Sequence, residues 1–520
     1  MLTVWVLVGC TTEEAVPVGS RLVYGLAYET AILDPHRVGD GAEAQQIGAV
    51  LRQMYDTLLY RDPQTGDFVP GLASEWAVTP DGLVYTFTLR QGVTFHDGTG
   101  FDAASVAANL DRIINPEFGS VKARSLLGPY AGYQIVDPYT IQIVLSEAYA
   151  PLLDGLSQFY LSMASPTTFG QYSPARYQFH QAGTGPYQLV EYTPGSRIVI
   201  RRNPNYTWGP PFYLADNAAA PDEIEYRFVR EARVDALEAS TVALVGEIAP
   251  SDVRRLAGNS QLRLLPVTVP GLPVHFMLNT ALFPTDNPTI RQALLHATNR
   301  SAITNTVYQG FAPVAWGPLS ARNLFYTRQV VGIYDFDLQQ ASALLSTLGL
   351  VDNDGNGFLD VAGEDLSVTM LVPSVGQFPQ IAQLLQAQWR AIGVEVVIRQ
   401  VAGMNALREA VESGDYNLVA YFAPGYDPSI LNDVFLSTGA YNYSNYNSPD
   451  LDNALIAAAQ ELDPERRRQL YAQIQQFIML EALILPISDY VSLIGVETRI
   501  DNLQFDVYGW FPLMQNVRLS

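Results

Sequence analysis

The chain has 520 residues, of which 48% are hydrophobic and 16% are charged. This is the composition of a folded protein, and the length suffices for two or more domains or lobes, so a mainly disordered chain is excluded. The formal net charge is −22, from 30 basic and 52 acidic residues. Because an acidic surface repels phosphate groups, nucleic acid is not expected as a partner.

The first ten residues are mostly apolar and end in the single cysteine of the sequence, Cys10. One cysteine excludes an intrachain disulfide and a cysteine-based metal cluster. The segment Leu7-Val8-Gly9-Cys10 resembles the lipobox of bacterial lipoproteins, in which the cysteine is acylated after cleavage. We therefore expect residues 1–20 to be a signal remnant and tether, although no basic residue precedes the apolar run. The alternative is a buried strand with an incidental thiol.

The first half of the sequence predicts mainly β-structure. An apolar stretch at 21–28 predicts a first strand, and apolar residues at helical spacing over 42–59 predict a helix. Apolar and polar residues alternate over 84–90, which predicts a strand with one buried face. Asp102 is expected to cap the helix that follows.

Helices and strands alternate in the second half. Asp337 precedes a predicted helix whose apolar face consists of Leu338, Ala341, Leu344, Leu345 and Leu348. A second predicted helix ends at Gly393 and leads directly to a strand at 394–398, which is the pattern of an α/β sheet. Asp463, followed by Pro464, predicts the start of a long helix.

No segment carries a complete catalytic or metal-binding motif. The five histidines do not stand at zinc-site spacing, and no Gly-x-Ser-x-Gly segment indicates a serine hydrolase. Asp352, Asp354 and Asn356 match the first ligand positions of a calcium loop, but Gly363 occupies the position of its bidentate glutamate. A plain turn is therefore expected, with calcium as the weaker alternative, and no cofactor is expected.

Several segments together resemble the family 5 extracellular solute-binding proteins, the peptide and nickel receptors of ABC importers. The pattern begins with Gly71-Leu72-Ala73-Ser74-Glu75-Trp76. Further matches, in the order of the family, are 85–90, 93–98, 183–187, 202–206, 278–280, 290–294, 341–349, 426–428 and 463–466. Each match is weak by itself, but together they span nearly the whole chain after the N-terminal segment.

The resemblance implies an α/β protein of the two-lobed periplasmic-binding-protein fold (the Venus-flytrap fold), with an extra β-rich subdomain in the first lobe. The implied boundaries are 21–268 with 488–520 for the first lobe, 61–180 for its extra subdomain, and 269–487 for the second lobe. The crossings near Val267 and Ile487 would act as the hinge. Such a protein closes over a ligand without making or breaking bonds, so an enzyme is not expected.

The resemblance also implies a ligand site. In peptide-binding members an aspartate of an Asp-Pro segment pairs with the α-ammonium of the peptide, and the matching residue here is Asp427. The alternative for Asp427 is a turn or a helix cap before a helix at 429–436. Further candidate ligand-binding residues are Tyr426, Tyr421, Glu29, Thr30, Gly183, Thr184, Gly185, Trp208 and Asn279.

The implied function is that of a monomeric receptor outside the cytoplasm, anchored to the cell membrane by a lipid on Cys10. It would bind an oligopeptide or a similar small solute and deliver it to the transmembrane subunits of an ABC permease. Two alternatives stay open. One is a receptor of the same fold for a metal chelate or an oligosaccharide, and the other, from a different class, is a secreted hydrolase.

Overall fold

The computed structural model describes residues 20–29, 32–39, 42–213 and 220–520. Cys10, the predicted tether up to residue 19, and the candidate ligand residue Thr30 lie outside these ranges. Within them, the helices are too short or too polar to cross a membrane.

The strands and helices of the described residues are numbered in chain order. The strands are β1 (Arg21–Leu26), β2 (Leu59–Arg61), β3 (Phe68–Pro70), β4 (Ala73–Val78), β5 (Val84–Leu89), β6 (Tyr130–Asp137), β7 (Thr140–Leu145), β8 (Tyr187–Thr193), β9 (Arg197–Arg202), β10 (Glu223–Phe228), β11 (Leu244–Val245), β12 (Leu262–Leu278), β13 (Asp360–Val361), β14 (Glu364–Asp365), β15 (Ser367–Pro373), β16 (Glu395–Val401), β17 (Leu418–Pro424), β18 (Ile484–Glu497), β19 (Ile500–Asp501) and β20 (Arg518–Leu519). The α-helices are α1 (Ala42–Met54), α2 (Ala103–Ile114), α3 (Val121–Leu126), α4 (Leu152–Gly155), α5 (Pro166–Gln171), α6 (Pro174–Tyr177), α7 (Arg233–Glu238), α8 (Val253–Ala257), α9 (Pro288–His296), α10 (Arg300–Tyr308), α11 (Leu338–Thr347), α12 (Phe378–Arg390), α13 (Met404–Val411), α14 (Ile430–Phe435), α15 (Pro449–Gln460) and α16 (Pro464–Leu480).

One long sheet contains ten strands in the order β16-β15-β17-β12-β18-β11-β1-β10-β9-β8. At its centre β12 and β18 pair antiparallel, from Leu262 opposite Glu497 to Met277 opposite Ile484. On one side β1 pairs in parallel with β10 and β11, and on the other β15 pairs in parallel with β16 and β17. The two central strands, which we call the crossing strands, therefore connect two separate sets of parallel strands.

Buried side chains form two large hydrophobic cores. The first core extends from Leu22 to Leu244 and includes the C-terminal residues up to Val517. The second core extends from Leu272 to Ile487. We call the parts of the chain built around these cores the first lobe and the second lobe. A four-stranded antiparallel sheet in the order β4-β5-β7-β6 packs within the first lobe.

Most predicted elements are confirmed with small shifts at their ends. The alternation in β5 buries Tyr85, Phe87 and Leu89, as the sequence predicted. Asp102 caps α2 by accepting a hydrogen bond from the Ser105 amide at 2.8 Å. Asp337 and Asp463 likewise cap α11 and α16. The capping residues therefore predicted correctly where these helices begin.

Two predictions about the extent of helices were wrong. The helix expected over 42–59 ends at Met54, because the next residues turn into the first core, where Tyr55 and Leu58 are completely buried. The apolar face of α11 is narrower than predicted, since Leu338 and Leu348 at its two ends are 38% and 37% exposed.

Candidate functional site

The segments that follow the parallel strands mark a candidate site between the lobes. In the first lobe, β11 is followed by Gly246 and Glu247. In the second lobe, β17 is followed by Gly425 and Tyr426, and the Tyr426 ring packs edge-on against Tyr508 of the first lobe. Ligands of open α/β sheets bind beyond the carboxyl ends of parallel strands, which places the candidate site at these strand ends.

A narrow recess opens beside the ends of β1 and β11. Its lining includes Tyr24, Gln46, Glu247, Ser492 and Trp510. We call it the Glu247 recess. Because Ser492 belongs to a crossing strand, the recess lies between the first lobe and the connection to the second. A wider groove of about 350 Å³ around Pro266 is lined by uncharged residues and offers less to a charged ligand.

Glu247 occupies this recess in an unusual conformation. Its φ angle is 54°, in the left-handed region that residues other than glycine rarely adopt. Gln46 accepts hydrogen bonds from the amides of Ala27 and Tyr28 at 2.6 and 3.0 Å and lines the same recess as Glu247. Burial raises the pKa of Glu247 by more than the nearby Gln46 amide and the charge of Arg233 lower it.

Three aromatic side chains form a wall that extends across the lobes. Phe422 comes from β17, Tyr490 from β18, and Trp510 from the C-terminal segment of the first lobe. The Phe422 and Tyr490 rings stack at 4.8 Å with 5° between their planes, and Trp510 lies 5.3 Å from Tyr490. All three are partly exposed, so this aromatic wall offers flat apolar faces to a ligand.

The wall also carries an unused hydrogen-bond donor. The indole nitrogen of Trp510 is buried and has no acceptor among the described residues. Buried donors are normally satisfied, and a ligand carbonyl or carboxylate would satisfy this one.

Asp427, the principal candidate from the sequence, is already paired. It is 7% exposed, and its two carboxylate oxygens accept hydrogen bonds from the Arg467 guanidinium at 2.7 and 2.8 Å. The Ser429 amide donates a further bond at 2.9 Å. Burial opposes ionisation of Asp427, but Arg467 outweighs it and lowers the pKa of the carboxyl. The Ser429 contact is that of a local turn, the Arg467 pair was not foreseen, and pairing of Asp427 with a ligand ammonium stays a prediction.

The two candidate tyrosines lie in different surroundings. The Arg61 guanidinium lies 4.8 Å from the centre of the Tyr426 ring, so Tyr426 packs in the first core although its sequence neighbours belong to the second. Tyr421 lies on β17 in the second core, where its ring stacks on Tyr441 at 5.8 Å. Tyr426 therefore contacts both lobes, whereas Tyr421 is part of the second-lobe packing.

Thr184 and Trp208 meet at a buried aspartate that sequence analysis did not single out. The Thr184 hydroxyl and the Trp208 indole nitrogen donate to one oxygen of Asp56 at 2.9 and 3.0 Å. Tyr60 and Tyr206 donate to its other oxygen at 2.5 and 2.9 Å. Burial nevertheless raises the pKa of Asp56. This network lies inside the first core, so both candidates have structural partners there.

Gly183 and Gly185 allow a close approach of two backbone segments. A Cβ atom at Gly183 would lie 2.1 Å from the Met54 carbonyl oxygen, and one at Gly185 would lie 2.5 Å from the Met54 carbonyl carbon. The Gly185 amide donates to Met54 at 3.0 Å. This close approach therefore joins the end of α1 to the start of β8.

Asn279 and Glu29 each contact their own lobe. The Asn279 side chain is 1% exposed and donates to the Tyr416 carbonyl at 2.8 Å in the second lobe. Glu29 accepts hydrogen bonds from the Tyr192 hydroxyl at 3.0 Å and the Gly195 amide at 2.8 Å. Ligand binding by these residues, as by the other candidates from the sequence, stays a prediction.

The calcium-loop candidates form a compact exposed turn. Carboxylate oxygens of Asp352, Asp354 and Asp360 lie within 4.8 Å of one another. The Asn356 amide donates to Asp354 at 3.2 Å and to Asp365 at 2.9 Å. The loop is thus closed by its own side chains, as expected of a plain turn, and the calcium alternative stays a prediction.

Two lobes joined by paired crossing strands, with a recess in the first lobe and an aromatic wall that extends from one lobe to the other, define a two-lobed binding protein. The chain belongs to the bacterial extracellular solute-binding proteins, family 5, whose middle region matches residues 67–446. The predicted family and the predicted two-lobed α/β fold are both confirmed. Members of this family are binding proteins.

Individual relatives agree with this assignment. The chain is similar to the glutathione-binding protein GsiB of Salmonella paratyphi A, at 29% identity over 472 residues, which cover 88% of this chain and 86% of that protein. Its fold is shared with NikA from Brucella suis, solved with Fe(III)-EDTA, at a TM-score of 0.84 and 22% identity over 96% of this chain and 100% of that one. The fold is also shared with DppA from Helicobacter pylori, solved with the peptide STSA. The TM-score is 0.74 and the identity is 24%, over 96% of this chain and 98% of that one.

The residues of the recess and the wall were missed by the sequence analysis. One signal was available for Glu247, which with Gly246 directly follows a short apolar stretch that becomes β11. Another was the aromatic cluster Tyr508-Gly509-Trp510-Phe511 close to the end of the sequence. Neither signal reveals by itself which side chains come together.

Proposed function

We propose that this protein is a receptor outside the cytoplasm that encloses a peptide or peptide-like solute between its lobes and delivers it to an ABC permease. The observation that carries the proposal is the aromatic wall, whose members Phe422, Tyr490 and Trp510 come from the second lobe, a crossing strand and the first lobe. A ligand stacked on this wall touches both lobes, so binding favours the closed state over the open one.

A peptide-like solute fits the chemistry of the wall. Flat aromatic faces pack well against amide planes and alkyl groups, and the free indole N–H of Trp510 fits a carbonyl acceptor. The names of relatives point the same way, since GsiB is a glutathione-binding protein and DppA was solved with a peptide. NikA was solved with a metal chelate, so a chelate is the main competing ligand class, and an oligosaccharide is a second.

The proposal includes the lobe boundaries and the hinge. The first lobe would comprise 21–268 with 488–520, including the extra subdomain at 61–180, and the second lobe 269–487. The separate cores and the four-stranded sheet support this division. Bending would occur near Val267 and Ile487 on the crossing strands, where the β12–β18 pairing shifts register between Val269 and Val274.

The proposal also includes attachment to the membrane. Leu7-Val8-Gly9-Cys10 supports acylation of Cys10, which would hold a monomeric receptor at the outer face of the membrane that contains the permease.

The first experiment is native mass spectrometry of the gently purified protein without residues 1–10, combined with small-angle X-ray scattering. We expect bound masses that match short peptides, and a smaller radius of gyration with ligand than without it. A single bound mass that matches a chelate or a saccharide would contradict the peptide assignment. A radius of gyration unchanged by saturating ligand would contradict closure.

A further inference from the structure

We infer that Glu247 selects solutes that carry a free ammonium group, by pairing with that group at the first-lobe side of the cleft. The inference rests on the proposed function and specifies the ligand chemistry of that site. It assigns the selective carboxylate to the loop after β11, in the first lobe.

Glu247 has no cationic partner of its own among the described residues. Among the described residues no arginine or lysine forms an ion pair with its carboxylate. The nearest cation, Arg233, uses its two terminal nitrogens to donate to the carbonyls of Arg230 and Glu247 at 2.7 and 3.0 Å. Arg233 therefore holds the backbone of the loop, and the group beside the carboxylate is the neutral amide of Gln46.

The backbone of Glu247 is held in a conformation that glutamate rarely adopts. A left-handed φ of 54° is unfavourable for glutamate. The Gln46 side chain beside it is fixed, because its oxygen accepts hydrogen bonds from the amides of Ala27 and Tyr28. Strained residues that are held by their surroundings cluster at ligand sites.

The other side chains that line the recess are uncharged and include aromatic rings. Burial, together with the nearby charge of Glu247, raises the pKa of both Tyr24 and Tyr490, so these phenols stay neutral. The aromatic wall continues from Tyr490 to Trp510. A carboxylate beside aromatic faces favours an ammonium group through both charge pairing and cation–π attraction. A neutral acetylated amine would leave the carboxylate partly buried and unpaired, which is costly.

The wild-type protein provides the first test. The probes are an equimolar mixture of short alanine peptides with free amino groups and the same mixture after N-acetylation, and the readout is the rise in melting temperature. We expect the free-amine mixture to stabilise the protein and the acetylated mixture to do so much less. Equal stabilisation by both mixtures would overturn the inference and leave the peptide receptor intact. Stabilisation by neither mixture would overturn both.

The variant Glu247→Gln provides the second test, with Glu231→Gln as the matched control. Glu231 is an exposed carboxylate of the first lobe that does not line the recess, so the control removes one charge without touching the recess. We expect Glu247→Gln to weaken binding of the free-amine mixture by about thirtyfold or more and to remove the preference over the acetylated mixture. A Glu247→Gln protein that keeps the wild-type preference would overturn the inference. The ligand-free melting temperature of each variant verifies that it is folded.

Discussion

Two carboxylates, Asp427 in the second lobe and Glu247 in the first, follow parallel strands in similar positions but have opposite surroundings. Asp427 has both oxygens bound to the Arg467 guanidinium and lies in the packed interior. Glu247 lies beside the neutral amide of Gln46 and lines a recess. The difference shows that the partner of an acidic residue, more than its place at the end of a strand, decides whether it holds the fold or remains able to bind a ligand.

The largest expected effect comes from removing the partner of Asp427. Arg467→Met leaves a buried carboxylate unpaired and is expected to lower the free energy of unfolding by about 3–5 kcal/mol, measured by urea denaturation without ligand. Arg468→Met is the control, since Arg468 is exposed and pairs with Glu465 on the helix surface, and it should cost less than about 1 kcal/mol. An Arg467→Met protein of wild-type stability with altered ligand binding would instead favour Asp427 as a ligand residue.

Asp506 extends the comparison to a carboxylate with neither a bound cation nor an open recess. Its Oδ1 accepts from the amides of Tyr508 and Phe511 at 3.1 and 3.4 Å, while Oδ2 has no hydrogen-bond partner among the described residues. Burial raises the pKa of Asp506 from 3.8 to about 7. Between about pH 4 and pH 7 the folded protein therefore keeps a proton that the unfolded chain has lost.

The stability of the folded protein therefore falls as the pH rises through the pKa of Asp506. The contribution of Asp506 to stability is fully present below about pH 4 and is lost as the pH rises through 7, by up to about 4 kcal/mol. Asp506→Asn should remove this slope in urea denaturation between pH 5 and pH 8, whereas the exposed control Asp501→Asn should keep it. Parallel pH profiles for Asp506→Asn and the wild type would show that Asp506 ionises normally.

The smallest effect is expected from Glu247→Gln in the absence of ligand. Burial raises the pKa of Glu247, so ionisation of this group above its unfolded pKa disfavours the folded state. Removing the charge should therefore leave the free energy of unfolding at neutral pH unchanged or raise it by about 1 kcal/mol at most. A clear loss of stability would mean that Glu247 is a structural carboxylate like Asp427.

The sequence predicted most of the fold because the relevant signals are local. Caps such as Asp102 and Asp463 act within one helical turn, and alternating apolar residues define a strand such as β5 without knowledge of its partners. The family pattern then supplied the order of the lobes. The exposed ends of α11 were missed because the width of an apolar face depends on what packs against it.

The partners within the site could not be predicted in the same way. Arg467 is the middle residue of an Arg466-Arg467-Arg468 run. Which of the three is buried depends on which face of α16 packs against the second core. Glu247 and Gln46 are about 200 residues apart in the sequence, and the fold brings both to the lining of one recess. Long-range contacts of this kind leave no periodicity in a single sequence.

The position of Tyr426 has a mechanical consequence for such a receptor. Its ring belongs to the second lobe by sequence but sits between Arg61 and Tyr508 of the first. Separation of the lobes has to remove this aromatic ring from its contacts with Arg61 and Tyr508 and expose it to water, and exposing apolar surface costs free energy. This contact therefore opposes separation of the lobes whether or not a solute is bound, and a transporter that takes over the solute would have to break the contact as the lobes separate.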